Sequence, residues 1–489
     1  MFLGRLNVGI LLIFLLVRLL GVLIVQSAFV PDEYWQSLEV SHKMTFCYGH
    51  LTWEWVKGIR SCVYPLLFHI LYSIFPDSLL VRVYIPRIFQ ALLSALGDFF
   101  TYKLASELFG QRCGMWTVFN ILASWFLFYS SSRTLTNMAE ASLTACGLYF
   151  YPWEKDKGLG YLWFAGASVM MRPTAIVLWL PLFLWHVQRG KSVVSILKGT
   201  FKIGLVLLLG LLIADRWCYG YWIFTPYNFF LFNWTFDIGS FYGSHNILWN
   251  FAVGLPTVLG VHIVPFAIGF NLPQLKPFYY LIFWILIIFS IPSHKEFRFL
   301  LPIMHIALMT SSVVMYRIST NKLRVFGYEV NKTFNVILIA ATLLVNIPLS
   351  IYMGLFHQRG SIDAALRLAD LVTENSNVLF LMPCHSTPYY SYIHKNISMK
   401  FLTCEPNFEN ADGYTDEADE FFEDPMEWLT KTYDSNSNQL LPTHIVMFDK
   451  LYDSISIFLK KFHYEHCFNA FHSHFAEGNV GNFVYIFCK

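Results

Sequence analysis

Long apolar runs recur from the first residues to about position 355, separated by short polar clusters. A helix needs about 20 apolar residues to cross a bilayer, and fewer where other helices enclose it. The pattern predicts about eleven spans: 7–29, 83–105, 114–131, 137–152, 159–172, 174–188, 199–215, 251–270, 277–292, 300–316 and 333–355. The four between 114 and 188 are short. Val63–Phe75 is apolar but too short to span, with Pro65 within it and Pro76 beside it, and is expected to lie on the surface. No small-residue cleavage site separates the run Leu6–Phe29 from Asp32 and Glu33, so it reads as a retained first span. After 356 the texture changes. "NVLFLMP", "THIVMFD" and "NFVYIFC" read as buried strands, "SIDAALRLADLV" and "DSISIFLKKF" as amphipathic helices, and the acidic stretch Glu405–Asp424 as a solvated loop. No internal repeat is visible.

Composition agrees with a polytopic α-helical membrane protein. The 489 residues are 56% hydrophobic, 18% aromatic and 13% charged, against roughly a quarter charged in soluble domains. The net charge of +2, with no basic run, gives no footing for nucleic acid. Lys and Arg set orientation. Arg5, Arg112, the turns Glu154–Lys157 and Arg189–Lys191 and the loop Arg317–Lys332 all fall on one side of eleven spans, which is read as cytosolic. The N-terminus is then cytosolic. The lumenal side receives a first loop, 30–82, a loop at 216–250 and an α/β domain, 357–489, following a transmembrane module of 1–356. The sequons at Asn233 and Asn396 fall on the lumenal side and that at Asn331 on the cytosolic side, so Asn396 and Asn233 are the candidate glycosylation sites. Four of the nine cysteines lie in the tail, where an oxidising lumen would let Cys384 pair with Cys404, and less securely Cys467 with Cys488.

The lumenal face also collects ionisable groups at span ends, which are costly at membrane depth unless they line a cavity. No phosphate loop, zinc-protease or nucleophile-elbow motif is present, and no D-x-D pair to hold a metal on a nucleotide diphosphate. His472-x-His474 and Cys384–His385–Ser386 read as structural. What remains is a carboxylate pair, several cations and many aromatics on a lipid-bounded face. That set suits transfer of a group from a lipid phosphate to a hydroxyl: a carboxylate takes the hydroxyl proton and cations stabilise the departing phosphate. The same charges would also serve as snorkelling or helix-capping groups.

The strings "VPDEYWQSLEVSH", "YGHLTWEW", "SRTLTNMAE", "RPTA", "FYGSH", "SHKEFRF", "HQRG" and "MPCHSTPYYS" occur in this order over most of the chain. Together they resemble glycosyltransferase family 22, and within it the enzymes that add the third mannose of the glycosylphosphatidylinositol (GPI) anchor. The H-K-E-x-R-F string and the acid pair also occur in that family's N-glycan and fourth-GPI-mannose relatives. The resemblance implies a GT-C-like fold in the endoplasmic reticulum membrane. It also implies inverting, α1,2-linked transfer of mannose from dolichol phosphate mannose to the GPI precursor, with no cofactor required and metal need left open. On that footing Asp32 is the expected base, on a bend where Pro31 ends the first span, and Glu33 orients the acceptor. His294, Lys295 and Arg298 are the expected donor-phosphate ligands, with Arg172 and Arg133 behind them. Trp35, Gln36, His50, Trp53, Glu54 and His245 are candidate sugar contacts. The rivals are a sibling mannosyltransferase with another acceptor and a lipid or sugar transporter. A transporter would be expected to show paired halves.

Overall fold

The computed structural model describes residues 2–190, 192–325, 328–408, 413–433 and 439–489. Lys191 of the basic turn and residues 409–412 of the acidic stretch lie outside the described residues. Among those described, seven helices are long and apolar enough to cross a membrane: Gly4–Ile24, Leu79–Phe109, Val193–Tyr219, Asn250–Asn271, Pro273–Ser290, Phe297–Ser319 and Lys332–Leu371, the last broken at 356–359. Each overlaps an expected span. The expected spans between 114 and 188 correspond to shorter helices, Gln111–Leu122, Thr136–Phe150, Tyr161–Met171 and Ile176–Arg189. Among the described residues seven helices meet the length requirement, and the four shorter ones fall below it. The expected surface segment is the helix Val63–Ile74.

The chain forms two compact units, one of 1–24, 57–67 and 84–351 and the other of 25–56, 68–83 and 352–489. The first is helical apart from a short antiparallel ribbon, Arg324–Val325 with Tyr328–Glu329. Its most enclosed member is Phe297–Ser319, 89% buried over its apolar stretch, whereas Val193–Tyr219 is only 11% buried. A helix apolar all round belongs at the centre of a bundle or against lipid, and small polar groups sort these two. Ser312 accepts from Asn120 Nδ2 at 2.8 Å, and Ser311 donates to the His262 carbonyl at 3.2 Å. Small residues let other helices close up: a Cβ at Gly97 would lie 3.0 Å from Ser142 Cα. Three helices meet through buried polar side chains. Asp98 accepts from Arg18 Nε at 2.6 Å and faces His305 Nε2 at 3.1 Å, all three being almost wholly buried. At one end of Val193–Tyr219, Cys218 is disulfide-bonded to Cys62. One turn earlier Asp215 accepts from the Cys62 backbone, Ser61 Oγ and Thr225 Oγ1 at 2.8, 2.8 and 2.7 Å.

The second unit is built on a five-stranded sheet. Its strands are β1 (Asn377–Leu381), β2 (Ser398–Phe401), β3 (His444–Phe448), β4 (Glu465–Phe471) and β5 (Phe483–Cys488), in spatial order β2-β1-β3-β5-β4. β1 pairs in parallel with β2 and β3, while β5 runs antiparallel to β3 and β4. β1, β3 and β5 are the expected apolar runs; β1 and β3 are buried because both faces are covered, while β5 keeps Phe483 exposed. Leu379, Leu381, Ile445 and Met447 face a core shared with Phe421, Leu429, Ile455 and Phe458. The acidic stretch is not all loop. Asp416 caps a helix, Glu417–Glu423, by accepting from the Asp419 N–H at 2.7 Å, and Phe421 anchors that helix in the core. The opposite face carries Val378 and Phe380, with Phe401 in register beside Phe380.

Candidate active site

The first span ends at Ile24, and the chain runs non-helical through Val30 before Pro31 begins a new helix. Asp32 and Glu33 therefore occupy a first helical turn rather than an open bend. Proline suits a helix start because the amide it lacks would have no partner there, and acids suit the positive end of the helix dipole. The Pro31 carbonyl accepts from both Tyr34 and Trp35 N–H at 3.0 Å, and the next five residues, Tyr34–Leu38, are wound as a π-helix. Such widened turns often mark functional positions. Glu33 is buried and Asp32 half-buried.

This helix rests on the loop that follows β1, "MPCHSTPYYS". Trp35 is buried, donates from Nε1 to the Thr387 carbonyl at 3.1 Å, and has its ring 4.6 Å from His385, 5.2 Å from Tyr389 and 5.1 Å from Phe401. Gln36 donates to Glu54 at 3.0 Å, and Trp55 donates to the Trp35 carbonyl at 3.3 Å. His50 packs at 5.2 Å on Phe401 and Trp53 at 5.2 Å on Phe408. Of the candidate sugar contacts, Trp35 and Gln36 are thus engaged inside the unit, while His50, Trp53 and Glu54 keep partly open surface.

Two groups that the sequence reading passed over hold this half together. Glu39 is fully buried and accepts from Tyr389 N–H at 2.8 Å, from Ser391 N–H at 3.1 Å and from Ser391 Oγ. Burial pushes its carboxyl up to about 7 against the pull of these hydrogen bonds. Further along, His42 Nε2 lies 2.8 Å from His394 Nδ1, and His394 Nε2 lies 2.9 Å from Asp77, which also pairs with Arg82. Burial, then the neighbouring His394, holds His42 down at about 3, so this imidazole stays neutral.

The cations of "SHKEFRF" lie in the other unit. Glu296 is their hub: it pairs with Arg298 and, at 2.9 Å, with His294 Nε2, while His294 Nδ1 meets the Gly243 carbonyl at 3.0 Å. Burial alone would lower the pKa of His294, but the bond to Glu296 outweighs it and raises the value above the usual imidazole range. Glu296 is held low despite its burial, first by Arg298 and then by His294. Lys295 points its ammonium at three carbonyls, of Pro292, His245 and Ser293, at 2.7, 3.0 and 3.3 Å. It ties the loop bearing His245 to the span end. His245 is exposed, its ring stacked 4.9 Å from Trp249. Arg172 and Arg298 flank one ring, with guanidinium carbons 5.6 and 5.5 Å from the centre of Phe299. Arg172 also donates to Asn137 at 2.9 Å and faces Glu140 at 3.4 Å. Arg133 is wholly buried over Tyr129, donating to that residue's carbonyl at 2.9 Å. The structure thus brings Arg172 beside Arg298.

Cys384 and Cys404 are disulfide-bonded, as are Cys467 and Cys488. Among the described residues, Cys384, His385 and Cys404 are the group whose potential ligand atoms cluster, within 4.8 Å, but both sulfurs are committed to the disulfide. Asn396 is exposed just before β2. Asn233 is half-buried in a π-turn, its amide donating to the Phe229 carbonyl at 2.9 Å.

Residues 9–394 match the Alg9-like mannosyltransferase family. The chain is 45% identical to GPI mannosyltransferase 3 of Drosophila melanogaster, covering 93% of this chain and 82% of that one. It is 39% identical to GPI alpha-1,2-mannosyltransferase 3 of Bos taurus, covering 98% and 89%. Its fold is similar to that of ArnT from Cupriavidus metallidurans bound to undecaprenyl phosphate, with a TM-score of 0.61 at 14% identity over 98% of this chain and 97% of that one.

Proposed function

Because the chain belongs to the Alg9-like mannosyltransferase family, we propose that it transfers the third mannose, in α1,2 linkage, from dolichol phosphate mannose to the GPI-anchor precursor. The near-full-length match to enzymes named for that step carries the reading. The chain is a multi-pass membrane glycosyltransferase that uses a lipid-linked sugar and a glycolipid acceptor. The finer setting is the lumenal face of the endoplasmic reticulum membrane, with the N-terminus cytosolic and residues 357–489 lumenal.

In the proposed chemistry an acceptor hydroxyl attacks the anomeric carbon, the bond from that carbon to the phosphate oxygen breaks, and configuration inverts. Asp32 receives the hydroxyl proton as the oxygen loses electron density in attack. Glu33, buried one residue on, orients the acceptor. Dolichol phosphate leaves as an anion, and Arg298 with Arg172, both beside Phe299, supports its charge. His294, whose ring nitrogens face the Glu296 carboxylate and the Gly243 carbonyl, has its pKa raised by Glu296 against the effect of burial, and Lys295 sets the loop.

The test is Asp32→Asn, which keeps size and hydrogen bonding but removes the proton acceptor. Transfer into a GPI intermediate should fall about 10²–10⁴-fold, with expression and acceptor affinity unchanged and Glu33→Gln milder. If Asp32 only caps the helix, Asn replaces it nearly as well, and near-normal transfer would sink the base assignment.

A further inference from the structure

Arg172 directly follows the helix Tyr161–Met171 and precedes Pro173. A residue before proline is driven out of the helical region, and Arg172 is extended, with φ −147° and ψ 121°. Its backbone N–H still donates to the Ser168 carbonyl at 2.9 Å, so the turn is tied to the helix it ends. Two side chains of a second helix, Thr136–Phe150, then hold the guanidinium. Asn137 Oδ1 accepts from Nη1 at 2.9 Å, and Glu140 Oε2 lies 3.4 Å from Nε. Residues three apart share a helix face, so both reach the same group from one side. The two helices are closely packed: Phe150 stacks on Phe164 at 5.2 Å, and a Cβ at Gly147 would lie 3.0 Å from Phe164 Cβ.

Glu140 and Asn137 are both buried. A buried carboxylate is costly unless it is paired, and among the described residues Arg172 is the cation that Glu140 pairs with. Arg298, across the Phe299 ring, has a carboxylate of its own in Glu296. Each guanidinium beside that ring is therefore held by a separate acid.

We propose that Asn137 and Glu140 are positioning residues that fix Arg172 for the phosphate of the lipid-linked donor. The inference rests on Arg172 being one of the cations that meet that phosphate. A planar guanidinium recognises phosphate oxygens through a fork of fixed direction. Contacts to two of its nitrogens from one rigid helix set the plane of that fork before the donor arrives.

Initial rates of the purified full-length enzyme test this, with dolichol phosphate mannose and a GPI acceptor both varied and the melting temperature followed for each variant. Asn137→Leu and Glu140→Leu should each lower kcat/KM for the donor about 10-fold or more. The Ki of dolichyl phosphate, the lipid product, should rise by a similar factor, while KM for the acceptor stays within about twofold. Loss of folded protein alone would lower kcat and move neither KM nor Ki. Asn137→Leu changes no charge and carries the test if Glu140→Leu does not fold. Glu140→Gln, which keeps an oxygen at the same reach, should recover part of the loss. In an Arg172→Met background neither change should cost much further, because both act through a group already removed. Wild-type donor KM and Ki for Asn137→Leu and Glu140→Leu, or losses that multiply fully with Arg172→Met, would overturn the inference and leave the role of Arg172 standing. Wild-type donor kinetics for Arg172→Met itself would instead remove Arg172 from the phosphate, and the inference with it.

Discussion

Arg298→Ala separates two roles that one residue combines. Arg298 is buried and pairs with Glu296, which keeps His294 at 2.9 Å as a second partner. Removing one member of a buried pair costs about 3–5 kcal/mol when the other is stranded. Because His294 remains, the loss here should be smaller, about 1–3 kcal/mol. A change of that size lowers a melting temperature by several degrees, at about 2–4 °C per kcal/mol for a unit of 150–250 residues. The loss of a donor-phosphate cation is a separate matter and should cut turnover at limiting donor by about 10²–10³-fold. A second change, Glu296→Gln, removes the stranded carboxylate and should restore most of the melting temperature to Arg298→Ala. It should not restore donor use. Arg298→Lys should recover part of the activity, since ammonium supplies charge but no fork. The measurements are thermal unfolding in detergent and initial rates against dolichol phosphate mannose. If Arg298→Ala/Glu296→Gln regains both stability and turnover, Arg298 is a structural partner only, and the phosphate role passes to Arg172.

The Glu39 carboxyl, raised from 4.5 to about 7, keeps a proton in the folded state that the unfolded chain releases. Stability should therefore fall as pH rises from about 4.5 to about 7 and level off above, by up to about 3 kcal/mol. Glu39→Gln should flatten this slope, and parallel melting-temperature curves for the two proteins would refute it. Asn396→Gln should abolish a glycan mass shift while Asn331→Gln changes nothing, and a glycan on Asn331 would reverse the proposed orientation. Asp98→Asn, which strips Arg18 and His305 of a shared buried anion, should cost more stability than Asp98→Asn combined with Arg18→Met. Equal losses would show that the ions are not coupled.

The sequence is legible where burial is two-sided and opaque at edges. β1 and β3 stand out because nearly every residue is enclosed, and β5 because Val484, Ile486 and Phe487 are. The neighbouring strands "SMKF" and "EHCFNAF" were missed because they are the two edges of the sheet, exposed and polar along much of their length. The helix Glu417–Glu423 was hidden by its charge, its two inward residues being too few to give a visible period. Long-range partners leave still less trace. Nothing local in Cys62 or Cys218 announces a bond across 156 residues. Glu39 lies within the quoted first-loop string, yet its partners are 350 and 352 residues away. The cation string was legible because its members are close in sequence. The pairing of Arg172 with Arg298 about Phe299 was not.

The separation between Glu39 and Ser391 also sets an order of events during synthesis. At about 5–20 residues per second, a ribosome needs roughly 20–70 s to travel from one to the other. Over that interval the helix that carries Asp32 and Trp35 exists without the loop that completes its packing. The nascent first loop therefore presents aromatic surface to chaperones for most of the chain's manufacture. A premature stop before Ser391 would leave that loop unfinished, although every residue of the acid pair had already been made.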